Sequence, residues 1–453
     1  MRATMLCAAF TAAAFAAAAR ADFNAALADY QAGRYDTARR QFAAMAELGD
    51  CSSQFNLGVM ALQGQGGAKD IGAGVGWLEA AAANGCQELV GGRVAALKVA
   101  LSAQEESRAA DIMAHYGHDA LHAQGIVDPD LECRERIPAA VTRAPAPEYP
   151  VAGKLRNGLV VGELTIGPDG RPRDPEILLA VPDEAFAAAA IEAWLHSRFT
   201  PASRNGAPVE SRQQVRLPFS IAGGEALWST PTYQDARAAA EAGDPAAEYL
   251  VGLAAAGGDR ALGIGALRAT HLLIDAARDG NPKAQYWLGE QLRSVAACHP
   301  QASGTAWLRH AAAGGDAAAQ LTLAEDLVSA SPTDSQVGEA RKLLESAAGA
   351  DSYYVRKHVV ALLAASPIAA LRDSAMAQQV ASRLAPGGIK SDPQMFEALA
   401  AAAAAGGDFA GAAAQQETAI RKARDLEWNT HAMEERLASY KGGRAWQGDL
   451  FAL

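Results

Sequence analysis

The strongest constraint on the fold of this chain is a short frame that returns at near-regular distances. Gly49-Asp50-Cys51-Ser52-Ser53-Gln54-Phe55-Asn56-Leu57-Gly58 reappears as Gly243-Asp244-Pro245-Ala246-Ala247-Glu248-Tyr249-Leu250-Val251-Gly252 and as Gly280-Asn281-Pro282-Lys283-Ala284-Gln285-Tyr286-Trp287-Leu288-Gly289. Gly315-Asp316 opens another copy, and Asp351 continues the spacing. From Gly243 the steps are 37 and then 35 residues. Glycine ends one helix in the left-handed conformation. Asp or Asn then caps the next helix by accepting a backbone N–H bond, and Pro245 and Pro282 suit a first helical turn. Partner helices end in Trp77-Leu78-Glu79-Ala80-Ala81, Trp307-Leu308-Arg309-His310-Ala311 and Leu343-Leu344-Glu345-Ser346-Ala347. Each unit therefore reads as a helical hairpin of ~35 residues, and such hairpins bury one another by stacking.

Composition agrees. Half of the 453 residues are hydrophobic, 6% are aromatic and 20% are charged, which excludes a disordered chain. The start reads as an export signal over residues 1–21: Arg2, an apolar stretch from Met5 to Ala19, then Ala19-Arg20-Ala21 as a small-x-small cleavage site. The expected location is the periplasm, with no stable membrane span after cleavage. The net charge of −11 becomes −13 once Arg2 and Arg20 are removed. A chain this acidic is repelled by nucleic acid and anionic lipid, so nucleic-acid binding is not expected. Cys51, Cys86, Cys133 and Cys298 remain after cleavage, and four cysteines allow three pairings. Cys51 and Cys86 occupy the same phase of consecutive units. A bridge between them requires the helix starts to converge, because packed helices lie ~8–10 Å apart and a disulfide needs Cα atoms within ~7 Å.

The repeated frame resembles Sel-like repeats, a branch of the tetratricopeptide superfamily. Gly64-Gln65-Gly66-Gly67-Ala68-Lys69-Asp70 matches that family's glycine-rich loop. Tyr30-Gln31-Ala32-Gly33-Arg34-Tyr35, and Ala405-Gly406-Gly407-Asp408-Phe409 with Gln415, Gln416 and Ile420 after it, look like ordinary tetratricopeptide units. The resemblance implies two solenoid arms over residues 22–135 and 225–453.

Between them, residues 136–224 change character. Four prolines within 137–150 predict a stiff, extended linker. Leu159 to Ile166 and Glu176 to Val181 read as strands joined by the turn Pro168-Asp169-Gly170. Asp183 caps a helix to about His196, and Val215, Leu217, Phe219 and Ile221 alternate as a half-buried strand. This β-β-α-β block resembles the C-terminal domain of the TonB energy-transducer family. The resemblance lies in Tyr149-Pro150, Gly158 to Ile166 with Pro168-Asp169-Gly170, Phe186-Ala187-Ala188-Ala189, Arg198-Phe199-Thr200-Pro201-Ala202, Asn205-Gly206-Ala207-Pro208-Val209 and Val215 to Phe219. It implies binding of a short extended peptide from an outer-membrane transporter by strand addition. The accepting edge would be the strand carrying Gln213, Gln214, Val215, Arg216, Leu217 and Phe219. Tyr149, Phe199 and Phe219 read first as fold-determining residues. TonB-type transducers keep a membrane helix and a long spacer and end with this domain, whereas here ~230 residues of helix follow. That departure points to a recruited binding module.

No zincin pair, nucleophile-elbow serine, paired-cysteine knuckle or phosphate-binding loop is present in the sequence. Gly72, Gly74 and Gly76 have dinucleotide-like spacing without a preceding strand. Asp111, His115, His118 and His122, at steps of four, three and four, would share one helix face as a weak metal candidate or a plain polar stripe. The sequence thus predicts a mainly α multidomain protein: α-α hairpin solenoid arms flank a small α+β module. It is expected to be a non-enzymatic periplasmic scaffold without cofactors that binds other envelope proteins. The alternative is a role in TonB-dependent transport across the outer membrane.

Overall fold

The computed structural model describes residues 23–451 apart from 128, 130, 132–135, 151–155, 223–226, 257–262, 296–303, 330 and 385–387. The export signal over residues 1–21, Cys133 and Cys298 lie outside the described residues. The first part is helical: α1 (Phe23–Gln31), α2 (Tyr35–Ala46), α3 (Cys51–Gln63), α4 (Ile71–Ala81), α5 (Gln87–Val90), α6 (Arg93–Lys98), α7 (Ala103–Tyr116) and α8 (His118–Ala123). The middle holds β1 (Arg136–Ile137), β2 (Ala140–Arg143), β3 (Gly158–Ile166), β4 (Pro172–Val181), α9 (Ala187–Leu195), β5 (Arg198–Thr200), β6 (Ala202–Arg204), β7 (Ala207–Val209) and β8 (Ser211–Phe219). Helices then return as α10 (Pro231–Glu241), α11 (Pro245–Ala256), α12 (Ala266–Arg278), α13 (Pro282–Val295), α14 (Gly304–Ala313), α15 (Ala317–Val328), α16 (Asp334–Ala347) and α17 (Tyr353–Ala365). The last four are α18 (Ser374–Ala381), α19 (Pro393–Ala405), α20 (Phe409–Asp425) and α21 (His431–Lys441).

The recurring frame has a recurring structural cause. Gly49, Gly243, Gly280 and Gly315 have φ of 80°, 82°, 95° and 90°. The capping oxygens of Asp244, Asn281 and Asp316 accept the N–H of the third residue on, at 2.8, 3.0 and 2.8 Å. Asp50 accepts from Ser52 and Ser53. Gly58, Gly252 and Gly289 then let their helix approach its partner. A Cβ at each would meet Leu78, Leu273 or Leu308 within 2.9 Å. Each of these helices packs on the next one in the chain, α3 on α4, α11 on α12 and α13 on α14.

A third repeated bond appears only in three dimensions. The Gln54, Gln285 and Gln320 amides each donate to the carbonyl eight residues back, Ala46, Ala277 and Ala312, at 3.0, 3.1 and 3.1 Å. Glu248 occupies the same place in its own unit, and its Oε2 is buried without a partner. A carboxylate cannot donate there. Burial, with Asp279 and Asp275 nearby, pushes the Glu248 carboxyl up to about 8. The folded state therefore holds a proton that the unfolded chain releases, and stability falls as pH rises from about 4.5 through 8. Glu248→Gln is expected to raise stability at pH 8 by about 1–2 kcal/mol, the worth of one restored buried hydrogen bond. The gain should vanish at pH 4, as read from urea unfolding at both pH values. A loss at pH 8 would refute it.

The middle block is more extensively paired than its sequence suggests. β4, β3 and β8 form an antiparallel sheet in the order β4-β3-β8. The expected linker is in part strand: β1 pairs with β6 and β2 with β5. Prolines at 138, 145 and 147 leave Ala140–Arg143 free to donate, and β5 to β7 lie between α9 and β8 in the predicted β-β-α-β order. Both faces of the main sheet are covered. Val160, Leu164 and Ile166 face Phe186, Ala190 and Trp194 around α9, and Leu159 and Val161 join the helical core. Trp194 closes on Gly162, where a Cβ would meet the indole at 2.7 Å.

That helical core also takes in Leu48, Leu121 and Val127 from the first part of the chain, and the Arg278 guanidinium donates to the Gly49 carbonyl at 2.8 Å. Cys51 and Cys86 are joined by a disulfide with Cα atoms 5.6 Å apart. A π-type turn over Ala82–Cys86, kinked at Gly85 (φ 115°), swings Cys86 toward the start of α3. Among the described residues no helix is long and apolar enough to cross a membrane.

Candidate functional site

β8 is the outer strand of its sheet, and among the described residues it pairs with β3 alone. Pro218, which lacks an N–H, is tolerated on such an edge. Side chains alternate between the two faces. Val215 and Leu217 lean on the core around α9. On the other face Gln214 accepts from the Trp287 indole of α13 at 3.2 Å, and Arg212 reaches Tyr286 and Tyr354. The Phe219 ring lies in the core, 5.0 Å from Phe186 and 6.3 Å from Tyr149, so only its backbone is offered at the edge. Phe199 also packs on this core.

Two open clefts run beside β8. One, of about 320 Å³, lies between Gln213–Leu217 and the strand β2 region, with Val141, Pro145, Trp194 and Phe199 in its walls. The second, of about 270 Å³, lies between Arg212–Gln214 and α13, with Glu163, Glu290, Gln291 and Ser294 in its walls. Both include Gln213 and Gln214, so they meet along the strand.

The sheet face opposite α9 is held by buried charges that the sequence did not single out. Asp174 on β4, at a φ of 55°, receives His358 Nε2 at 2.7 Å and Lys357 Nζ at 2.9 Å from α17. Lys357 also meets Asp392 at 3.2 Å and the Gln394 amide oxygen at 2.9 Å. His358 Nδ1 lies 3.1 Å from Glu325. Alongside, Arg212 bridges Glu163 and Glu176, Tyr286 donates to Glu176 at 2.9 Å, and Gln291 donates to Glu163 at 3.2 Å. Isolated charged letters inside strand-like runs were the available signal. Nothing in the sequence joined them to α13 and α17, 74 to 184 residues away.

These contacts tie stability to pH. Burial opposes the charge on Asp174, but His358 and Lys357 outweigh it and hold the carboxyl well below the carboxylate range. Burial likewise opposes the charge on His358, yet Asp174 and Glu325 raise it to about 9. A raised histidine contributes stability that is complete below its unfolded value near 6.5 and is lost as pH rises through about 9. The shift corresponds to about 3 kcal/mol. Wild-type protein should lose about this much between pH 6 and pH 9.5 beyond any loss in His358→Gln, by urea unfolding at each pH. Equal losses in the two proteins would refute the assignment.

The histidine group does not form the single face expected for a metal candidate. α7 ends at Gly117 (φ −69°, ψ 158°), which turns the chain before α8. His115 is bonded to the Asp111 carbonyl on α7, whereas His118 and His122 stack on each other with centroids 6.0 Å apart. Among the described residues no three His, Cys, Asp or Glu side chains are grouped to hold a metal ion.

Among the described residues the middle block is thus a small α+β domain whose strand β8 pairs on one side, with β3, beside open clefts. Residues 145–221 match the family model described as the Gram-negative bacterial TonB protein C-terminal. That match covers under a fifth of the chain. It points to protein interaction in the cell envelope. No curated protein matches the chain significantly.

Proposed function

We propose that this protein is a non-enzymatic periplasmic scaffold whose β8 edge accepts an extended peptide from another envelope protein. The observation that carries the reading is that, among the described residues, β8 pairs in its sheet with β3 alone and is flanked by clefts along Arg212–Leu217. Gln213, Gln214, Val215, Arg216 and Leu217 supply the accepting backbone. The helical parts are read as Sel-like and tetratricopeptide hairpins stacked as solenoid arms. The recurring caps, glycine–leucine contacts and glutamine bonds support that reading. A role in TonB-dependent transport is the specific form in which the peptide comes from the N-terminal segment of an outer-membrane transporter.

The test is photo-crosslinking from the full chain in periplasmic and outer-membrane extract. A benzoylphenylalanine at Gln213 is expected to trap envelope proteins through an extended segment, mapped by mass spectrometry. The same group at exposed Lys342 is the control. Identical adducts from both positions, or none from Gln213, would end the proposal. Adducts mapping to transporter N-termini would select the transport form.

A further inference from the structure

We propose that the segment Trp446–Phe451, which follows α21, is a strap that locks the sheet against α17, and that its release frees β4 and β8 together. The inference is independent of what β8 binds.

The segment belongs to no helix or strand. Gly443, at a φ of 68°, lets the chain leave α21. Trp446 then lies over Arg436, 5.9 Å from ring centroid to guanidinium carbon, where Arg436 and Glu397 form a buried pair at 2.8 Å. The Gly448 N–H donates to the Ala365 carbonyl at 2.8 Å. That carbonyl belongs to the last residue of α17, where the helix offers no donor of its own. Leu450 is 2% exposed and joins the helical core. Phe451 reaches the charged group, its ring 5.1 Å from that of His358 and 5.7 Å from Lys357 Nζ. The lengths agree. His358 and Ala365 are about 10 Å apart along a helix axis, and three residues of chain reach about 10 Å. Gly448–Phe451 therefore follows α17 from its last turn back to the charged pair.

The Phe451 ring covers the junction of sheet and helix. Asp174 is where β4 meets Lys357 and His358. Drawing the sheet away separates these charges, which is costly while they are dry and far less so once water reaches them. Phe451 keeps water off and adds the attraction of an aromatic ring for a cation. The contact extends to β8. The Tyr354 ring lies 4.6 Å from that of His358 and 5.2 Å from the Arg212 guanidinium, which donates to the Tyr354 hydroxyl at 3.4 Å. Phe451, His358, Tyr354 and Arg212 thus form a continuous row from the strap to β8. The strap has no ladder of backbone bonds, so it opens at lower cost than the helices it crosses.

The test is hydrogen exchange of the full-length protein at pH 7, read by mass spectrometry. Phe451→Ala is expected to speed exchange at least tenfold over residues 172–178 of β4 and 211–217 of β8, and to leave residues 23–63 unchanged. Leu450→Ala, which loosens the strap without touching the charged group, should act on the same two stretches. Phe451→Tyr, which keeps the ring, should retain wild-type rates. Circular dichroism confirms that all three variants fold. Faster exchange confined to residues 440–451, an effect that spares either strand, or a uniform rise across the chain would overturn the strap. A wild-type exchange pattern in Leu450→Ala would do the same.

Discussion

Lys357→Met is expected to lower unfolding free energy by about 3–5 kcal/mol, the usual cost of removing one partner from a buried ionic group. Lys357 is fully buried, and its ammonium is shared by Asp174, Asp392 and Gln394. Methionine fills similar space but leaves two carboxylates facing each other in a poorly solvated interior. Asp174 belongs to the sheet and Lys357 to α17, so the loss should appear at their junction. Urea unfolding at pH 7 gives the size, and a double cycle with Asp174→Asn gives the coupling. A cost below about 1 kcal/mol would mean that apolar contacts alone hold the sheet on the helices.

Breaking the Cys51–Cys86 bond is expected to have an effect of similar size, centred on the first helical part. The two cysteines are 35 residues apart, and the chain-entropy treatment of a loop this long gives about 4 kcal/mol. Cys86→Ser should lower the stability of residues 23–127, read by hydrogen exchange. Reductant should impose the same loss on the wild type and none on the variant. A wild type insensitive to reductant would show that the bond contributes nothing to folding. The cystine sits at the start of α3, next to the Asp50 cap and the Gly49 carbonyl that receives Arg278. Loss of the bond should therefore also loosen the junction with α12.

Much of the architecture was legible because its causes are local. Gly49-Asp50, Gly243-Asp244, Gly280-Asn281 and Gly315-Asp316 announce a helix end and the next helix start within two residues, and the structure places caps at these positions. Leu159 to Ile166 reads as strand from its β-branched run. Its nearly continuous apolar character also signals burial on both faces, as parallel or doubly covered strands show. β1 and β2 were missed because proline content argued for a linker, while their partners β6 and β5 lie ~60 residues on. The histidine stripe failed on one glycine, since Gly117 ends α7 and spacing arguments hold only inside an unbroken helix.

What the sequence determined by itself is therefore the set of units: hairpins of ~35 residues, a paired-strand insert near residues 158–219, and a candidate accepting strand at its end. Only the tertiary structure decided that the insert's second face is closed by helices 70 to 220 residues further along, through Glu163, Asp174, Glu176 and Arg212. It also decided that α13 lines the cleft beside β8. Caps, turns and amphipathic periods are written in neighbouring letters, because backbone hydrogen bonds and side-chain rows span only a few residues. A buried ion pair is chosen by where whole elements come to rest, and any of the chain's 91 charged side chains could have met any other until the fold brought four of them to one sheet face.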